Sequence, residues 1–150
     1  MRWLRRACAV SPRFGEAHRL LVSLVSAADP IGAMAVAQRW TLRFGENSDA
    51  WVTLGVACRA AYRTRDALVA YERALQIDER ADAAFAAGLL YRLRGDHETA
   101  GARFARAYAA GGGAEALREN ARSLVAAGDQ AAAGEAMRLW EQETGRPWTD

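Results

Sequence analysis

Trp51-Val52-Thr53-Leu54-Gly55-Val56-Ala57-Cys58, completed downstream by Ala67, Tyr71 and Ala74, decides the fold. Within it apolar and small residues recur at intervals of three and four, the period of an amphipathic helix. The same positions recur along the chain. Ala33, Ala67, Ala100 and Ala133 are spaced 34, 33 and 33 residues apart. Four residues after each stand Ala37, Tyr71, Phe104 and Met137, and three further on Trp40, Ala74, Ala107 and Trp140. Upstream, Leu21, Gly55, Gly88 and Ala121 keep the same spacing, as do Leu24, Cys58, Tyr91 and Leu124. Gly95-Asp96 and Gly128-Asp129 mark turns 33 residues apart, and Asp29 ends a similar Ala-Ala-Asp turn. A period of this length is the signature of a repeat array.

Each copy reads as two helices of about a dozen residues joined by a tight turn. First helices are expected near 15–27, 49–62, 82–94 and 115–127, and second helices near 31–44, 66–77, 97–110 and 130–143. Asp49, Asp66, Asp82 and Glu115 lie near helix starts, where a carboxylate suits the unpaired N–H groups and the dipole. Gly45, Gly95, Gly111 to Gly113, Gly128 and Gly145 lie near helix ends. No segment shows strand alternation. Composition agrees: of 150 residues, 35 are alanine, only three are proline, and all 20 basic residues are arginine.

The segment from Trp51 to Cys58 resembles the Trp, Leu-Gly, Tyr pattern of the tetratricopeptide repeat, with Cys58 where tyrosine is usual. Ala67, Tyr71 and Ala74 match the small, aromatic, small pattern of its second helix. The next copy carries Gly88, Tyr91, Ala100, Phe104 and Ala107 at the family spacing. The outer copies depart from it: Leu21 replaces a small residue, Trp40 and Trp140 replace alanine, and the closing proline is absent at Glu79 and Gly145. In the first copy Ala37 and Trp40 exchange the sizes of Tyr71 and Ala74, which keeps total volume and reads as repacking. The resemblance implies an all-α, right-handed superhelical solenoid of antiparallel helix pairs, with repeats at 14–47, 48–80, 81–113 and 114–146. Leu4, Ala7 and Pro12 fall one repeat before Ala37 and Trp40. Residues 1–12 are therefore expected to form the second helix of an incomplete repeat, from a parent protein that is longer upstream or has a misplaced start. Residues 147–150 form a tail. Glu135, Arg138, Glu141 and Gln142 are expected to give the last helix a polar outer face.

The resemblance also implies a concave groove built from first-helix positions. Carried over, these are His18, Val22 and Val25; Val52, Val56 and Arg59; Phe85, Leu89 and Arg92; and Arg118 and Arg122. Such a groove, apolar in the middle with arginines at its far rim, suits a protein or peptide partner with apolar anchors and acidic groups. The subclass that grips a C-terminal carboxylate needs lysines and asparagines where His18, Val22, Thr53 and Asp82 stand, so that ligand is not expected. Small repeat chaperones of type III secretion translocators have similar length and a central repeat similar to Leu54 through Arg59.

Candidate chemistry is sparse. His18 and His97 lie on different repeats without partners at ligand spacing, so neither a metal site nor a catalytic one is expected. Cys58 sits inside a packing helix as a small apolar residue. Cys8, beside Arg5 and Arg6, is the more reactive candidate. Two distant cysteines without a CxxC form no disulfide framework, and with no secretory signal they fit a reducing cytoplasm. Gly111 to Gly113 lack the strand and lysine of a phosphate loop and read as a loosened linker between repeats. Asp78, Glu79 and Asp82 fit no cation loop and read as a solvated helix boundary.

Seven arginines, Arg2 through Arg43, face only Glu16 and Asp29 before position 46. That basic end reads as a solvated face. The net charge of +2 makes no case for nucleic acid, and no apolar run is long enough to span a bilayer. The expectation is a binding module without cofactors rather than an enzyme. Self-association through the helical ends, a small chaperone like those of type III secretion translocators, and a recognition arm of a larger enzyme stand as alternatives.

Overall fold

The computed structural model describes residues 15–149, apart from the side chains of Glu16 and Ala17. The expected half-repeat at 1–12, with Cys8, lies outside the described residues. Eight helices follow one another: α1 Gly15–Ser26, α2 Pro30–Arg43, α3 Ser48–Ala60, α4 Thr64–Ile77, α5 Ala81–Leu93, α6 His97–Ala109, α7 Gly113–Ala127 and α8 Gln130–Thr144. All sixteen boundaries fall within two residues of the expected ones, and no strand occurs among the described residues. The chain divides into two compact units, one ending at Asp78 and the other beginning at Glu79.

In the first unit α1 pairs with α2 and α3 with α4, while α3 also packs on α1 and α2. Tyr71, 1% exposed, lies against the backbone of α3 because position 55 has no side chain. A Cβ built on Gly55 would come within 2.6 Å of the Tyr71 ring. Burying such a ring contributes roughly 1.5–3 kcal/mol. The first hairpin uses the exchanged sizes that the repeat comparison predicts. Ala37 is fully buried and Trp40 is 2% exposed. The Trp40 indole stacks on His18 of α1 with centroids 4.4 Å apart and planes 19° from parallel.

In the second unit α6 packs on both α5 and α7, and α8 packs on α7. Phe104 repeats the role of Tyr71: it is fully buried, and a Cβ on Gly88 would lie 2.8 Å from its ring. The last hairpin is closed differently. Trp140 stands edge-on to Trp148, 5.4 Å between centroids, and the Trp148 N–H donates to Glu141 Oε1 at 2.7 Å. The tail beyond Gly145 thus folds back on α8, a contact that the 33-residue pattern does not predict.

The three turns inside the second, third and fourth helix pairs share one geometry. Arg63 N–H donates to Cys58 O at 2.8 Å, Asp96 N–H to Tyr91 O at 3.0 Å, and Asp129 N–H to Leu124 O at 3.0 Å. This helix-ending bond needs a left-handed residue just before the donor. Gly95 and Gly128 supply it at φ +80° and +85°, whereas Tyr62 does so at +58°. Helix starts are capped by Asp29, Asn47, Asp96 and Asp129, whose side chains accept from the backbone N–H three residues on. Asp49, Asp66, Asp82 and Glu115 stand inside the first turns rather than at the caps.

The reading of Gly111 to Gly113 as a loosened linker is corrected. α6 ends at Ala109 and α7 begins at Gly113. Gly112 N–H donates to Ala107 O at 2.8 Å, and a Cβ there would strike that oxygen at 2.6 Å. The glycines allow a tight, hydrogen-bonded turn.

Candidate functional site

The first-helix positions expected to face a partner divide sharply by burial. In the first unit His18, Val22, Val25 and Val52 are buried, at 8%, 1%, 6% and 8% exposure. His18 is held by its stack on Trp40, and Val22 O also accepts a bond from Ser26 Oγ at 2.6 Å. Helix rotation turns these side chains into the core, and a sequence period does not resolve rotation to one residue. Val56, 38% exposed, and Arg59 reach solvent. Trp51, at the start of the repeat pattern, anchors the loop before α3 by donating from Nε1 to Gly45 O at 2.7 Å.

In the second unit Phe85, Leu89 and Arg92 on α5 and Arg118 and Arg122 on α7 are all half-buried. Phe85 meets the Phe104 ring edge-on at 5.2 Å, and the Arg92 guanidinium lies 5.7 Å from the centre of that ring. Between the arginines is a residue that the repeat pattern does not single out. Glu119 is 5% exposed; Oε2 accepts from Arg92 Nη1, and Oε1 accepts from Arg122 Nη1 at 3.1 Å. A carboxylate taken from water needs such partners. Its repeat counterparts are Arg19, Thr53 and Ala86, so the repeat gives the position no fixed character that would have marked it. Two of the expected rim arginines are therefore locked to a buried carboxylate. The three groups together carry a single positive charge, which leaves a half-buried apolar surface with a modest cationic edge.

The other candidates for chemistry resolve plainly. Cys58 is buried, and burial pushes its thiol pKa up; Asp66 adds to this, and Arg63 opposes it. Glu79 and Asp82 are each taken by an arginine. Arg106 holds Glu79 through two bonds at 2.8 and 2.6 Å, and Arg80 holds Asp82 through two at 2.9 and 2.8 Å. Hydrogen bonding by those guanidinium groups keeps both carboxyls below the usual carboxylate range. Among the described residues no cluster of histidine, cysteine and carboxylate side chains could hold a metal ion. No helix there is long and apolar enough to cross a membrane.

No family model and no curated protein matches the chain. Solved structures do. The structure of MamA is similar at a TM-score of 0.78 with 18% identity, over 96% of this chain and 86% of that one. TTC0263, a thermophilic TPR protein of Thermus thermophilus, is similar at 0.69 with 19% identity, over 95% and 80%. The APC/C hetero-tetramer Cut9-Hcn1 contains a chain similar at 0.65 with 12% identity, over 94% of this chain and 27% of that one. The 33-residue register, the ring seated on a glycine in successive repeats and these likenesses agree: the chain has the tetratricopeptide-repeat fold.

Proposed function

We propose that the chain is a protein-binding scaffold that holds a peptide segment of a partner on its first-helix faces. The observation that carries this reading is the α5–α7 face. There, Phe85 and Leu89 stay half-exposed beside Arg92, Arg118 and Arg122, and buried Glu119 pre-orders two of the guanidinium groups. Pre-ordered donors lose little conformational freedom on binding. They would recognise carboxylates next to an apolar anchor, as arginine forks do. Val56 and Arg59 offer a smaller surface of the same kind on α3. The neighbour in the Cut9-Hcn1 assembly works as part of a protein complex, which supports the general reading. The test is affinity capture from native lysate with wild type and a Val56→Glu, Leu89→Glu variant, both first shown to be helical by circular dichroism. A partner captured by wild type and lost from the folded variant supports the proposal; capture unchanged by the variant overturns it.

One observation favours a second reading, self-association through a helical end. Leu20 and Leu24 on α1 are 51% and 53% exposed, whereas their repeat counterparts Leu54 and Cys58 are buried. An uncovered apolar face of this kind marks an interaction surface. Sedimentation of wild type and a Leu20→Glu, Leu24→Glu variant tests it. Concentration-dependent growth in mass that the variant abolishes supports it; a wild-type mass that stays monomeric rejects it.

A further inference from the structure

We infer that a cleft of the second unit, lined by α6, α7 and α8, receives a cationic side chain, arginine or lysine, presented by a segment of a partner protein. The cleft holds about 380 Å³ and shares no residue with the first-helix surface above, so the inference stands apart from that reading.

Two of its lining residues differ from their counterparts in the second repeat. The position of Leu68, buried in α4, is occupied 33 residues later by Gly101. The position of Leu54, buried in α3, is occupied two repeats later by Asn120. With no side chain at 101, Leu124 and Asn120 close over the α6 backbone: a Cβ there would lie 3.3 Å from Leu124. Asn120 is 9% exposed and has no hydrogen-bond partner among the described residues. Its Oδ1 lies 3.4 Å from where a Cβ on Gly101 would be. The amide lines the cleft with no partner from the chain, so a donor arriving from a ligand gains an acceptor that otherwise meets only water.

The charge at the mouth selects the ligand. Glu98 and Glu135 line the cleft and are exposed, and neither makes an ion pair among the described residues. Elsewhere in this unit Glu79, Asp82 and Glu119 are each held by arginine. The remaining wall is apolar, with Ala136 and Leu139 among its residues. An aliphatic stem lies along such a wall while its charged head reaches two carboxylates and the Asn120 oxygen.

Titration of the ¹⁵N-labelled full chain with two capped peptides, acetyl-Ala-Ala-Leu-Arg-Ala-Ala-amide and the same peptide with glutamate for arginine, tests the inference. The arginine peptide should shift the amide signals of Gly101, Asn120 and Ala136 saturably, with a dissociation constant on the order of millimolar. Glu98→Gln with Glu135→Gln should weaken it about five-fold, as loss of two exposed ion pairs predicts. Gly101→Leu, whose side chain would press on Leu124 and Asn120 in the cleft wall, should abolish it. Equal shifts by both peptides, no saturable shift at about ten millimolar, or undiminished binding to the glutamine variant would each overturn the inference. The glutamine variant changes only exposed side chains, so the test survives should Gly101→Leu fail to fold.

Discussion

Arg92 on α5 donates to the carboxylate of Glu119 on α7, 27 residues away, and Arg122 holds the other oxygen of the same group. The partners are unequally placed: the Glu119 side chain is 6% exposed, while those of Arg92 and Arg122 are 35% and 37%. Loss of the carboxylate frees two guanidinium groups that can reach water. Loss of the guanidinium groups strands a buried charge. Glu119→Gln should therefore lower stability by less than about 1 kcal/mol, and Arg92→Ala with Arg122→Ala by about 3 kcal/mol. Urea denaturation of the three proteins, compared by midpoint, checks the asymmetry; equal losses would mean that the carboxylate is well solvated.

Gly55 and Gly88 differ from Gly134 in what stands opposite them. A Cβ on the first two would lie 2.6 Å and 2.8 Å from an aromatic ring, whereas nothing lies within 4 Å of one on Gly134. Alanine at either ring-facing site should cost about 1–3 kcal/mol through overpacking. Gly134→Ala, inside α8, should instead stabilise by about 0.5–1 kcal/mol through the lower backbone entropy of the unfolded chain. Thermal unfolding of the three single variants gives the signs directly.

The same comparison shows how far the sequence was legible. Gly55 and Tyr71, or Gly88 and Phe104, hold a fixed spacing because one side chain must vacate what the other fills, and spacing is visible in a sequence. Helix boundaries followed for the same reason. Helix rotation was less legible: Val22 and Val52 lie on first helices yet point into the core, since a few tens of degrees separate an inward from an outward position. Glu119 was invisible because its partner Arg92 is distant in sequence. Asn120 and Gly101 appear as ordinary substitutions until the structure places them on one cleft.

Tyr62 holds the left-handed turn position that Gly95 and Gly128 occupy in the following repeats, and its ring, 92% exposed, gains no packing there. The next residue, Arg63, stands where Asp96 and Asp129 cap the next helix, and α4 has no side-chain cap. Left-handed backbone costs a residue with a Cβ about 1–2 kcal/mol, part of which glycine forfeits in unfolded-state entropy. A new aspartate cap contributes about 1 kcal/mol, offset in part by the lost Arg63–Asp66 ion pair at 2.7 Å. Tyr62→Gly with Arg63→Asp should stabilise the chain by about 1 kcal/mol, read as a higher urea midpoint with unchanged helix content.

Cys58 should behave as core and not as a nucleophile. In a Cys8→Ser background, a disulfide-exchange reagent should leave the native thiol unmodified and react once denaturant unfolds the chain. The raised thiol pKa has a definite consequence at alkaline pH. The folded chain keeps the proton where the unfolded chain releases it, so stability is constant below the ordinary thiol value of 9.0 and declines as pH climbs past it. Urea midpoints between about pH 8 and pH 10 in that background should fall, and the fall should shrink in Cys58→Ala, which has nothing to ionise. Rapid modification of the native thiol at neutral pH would show that α3 opens locally far more readily than its packing against α2 and α4 implies.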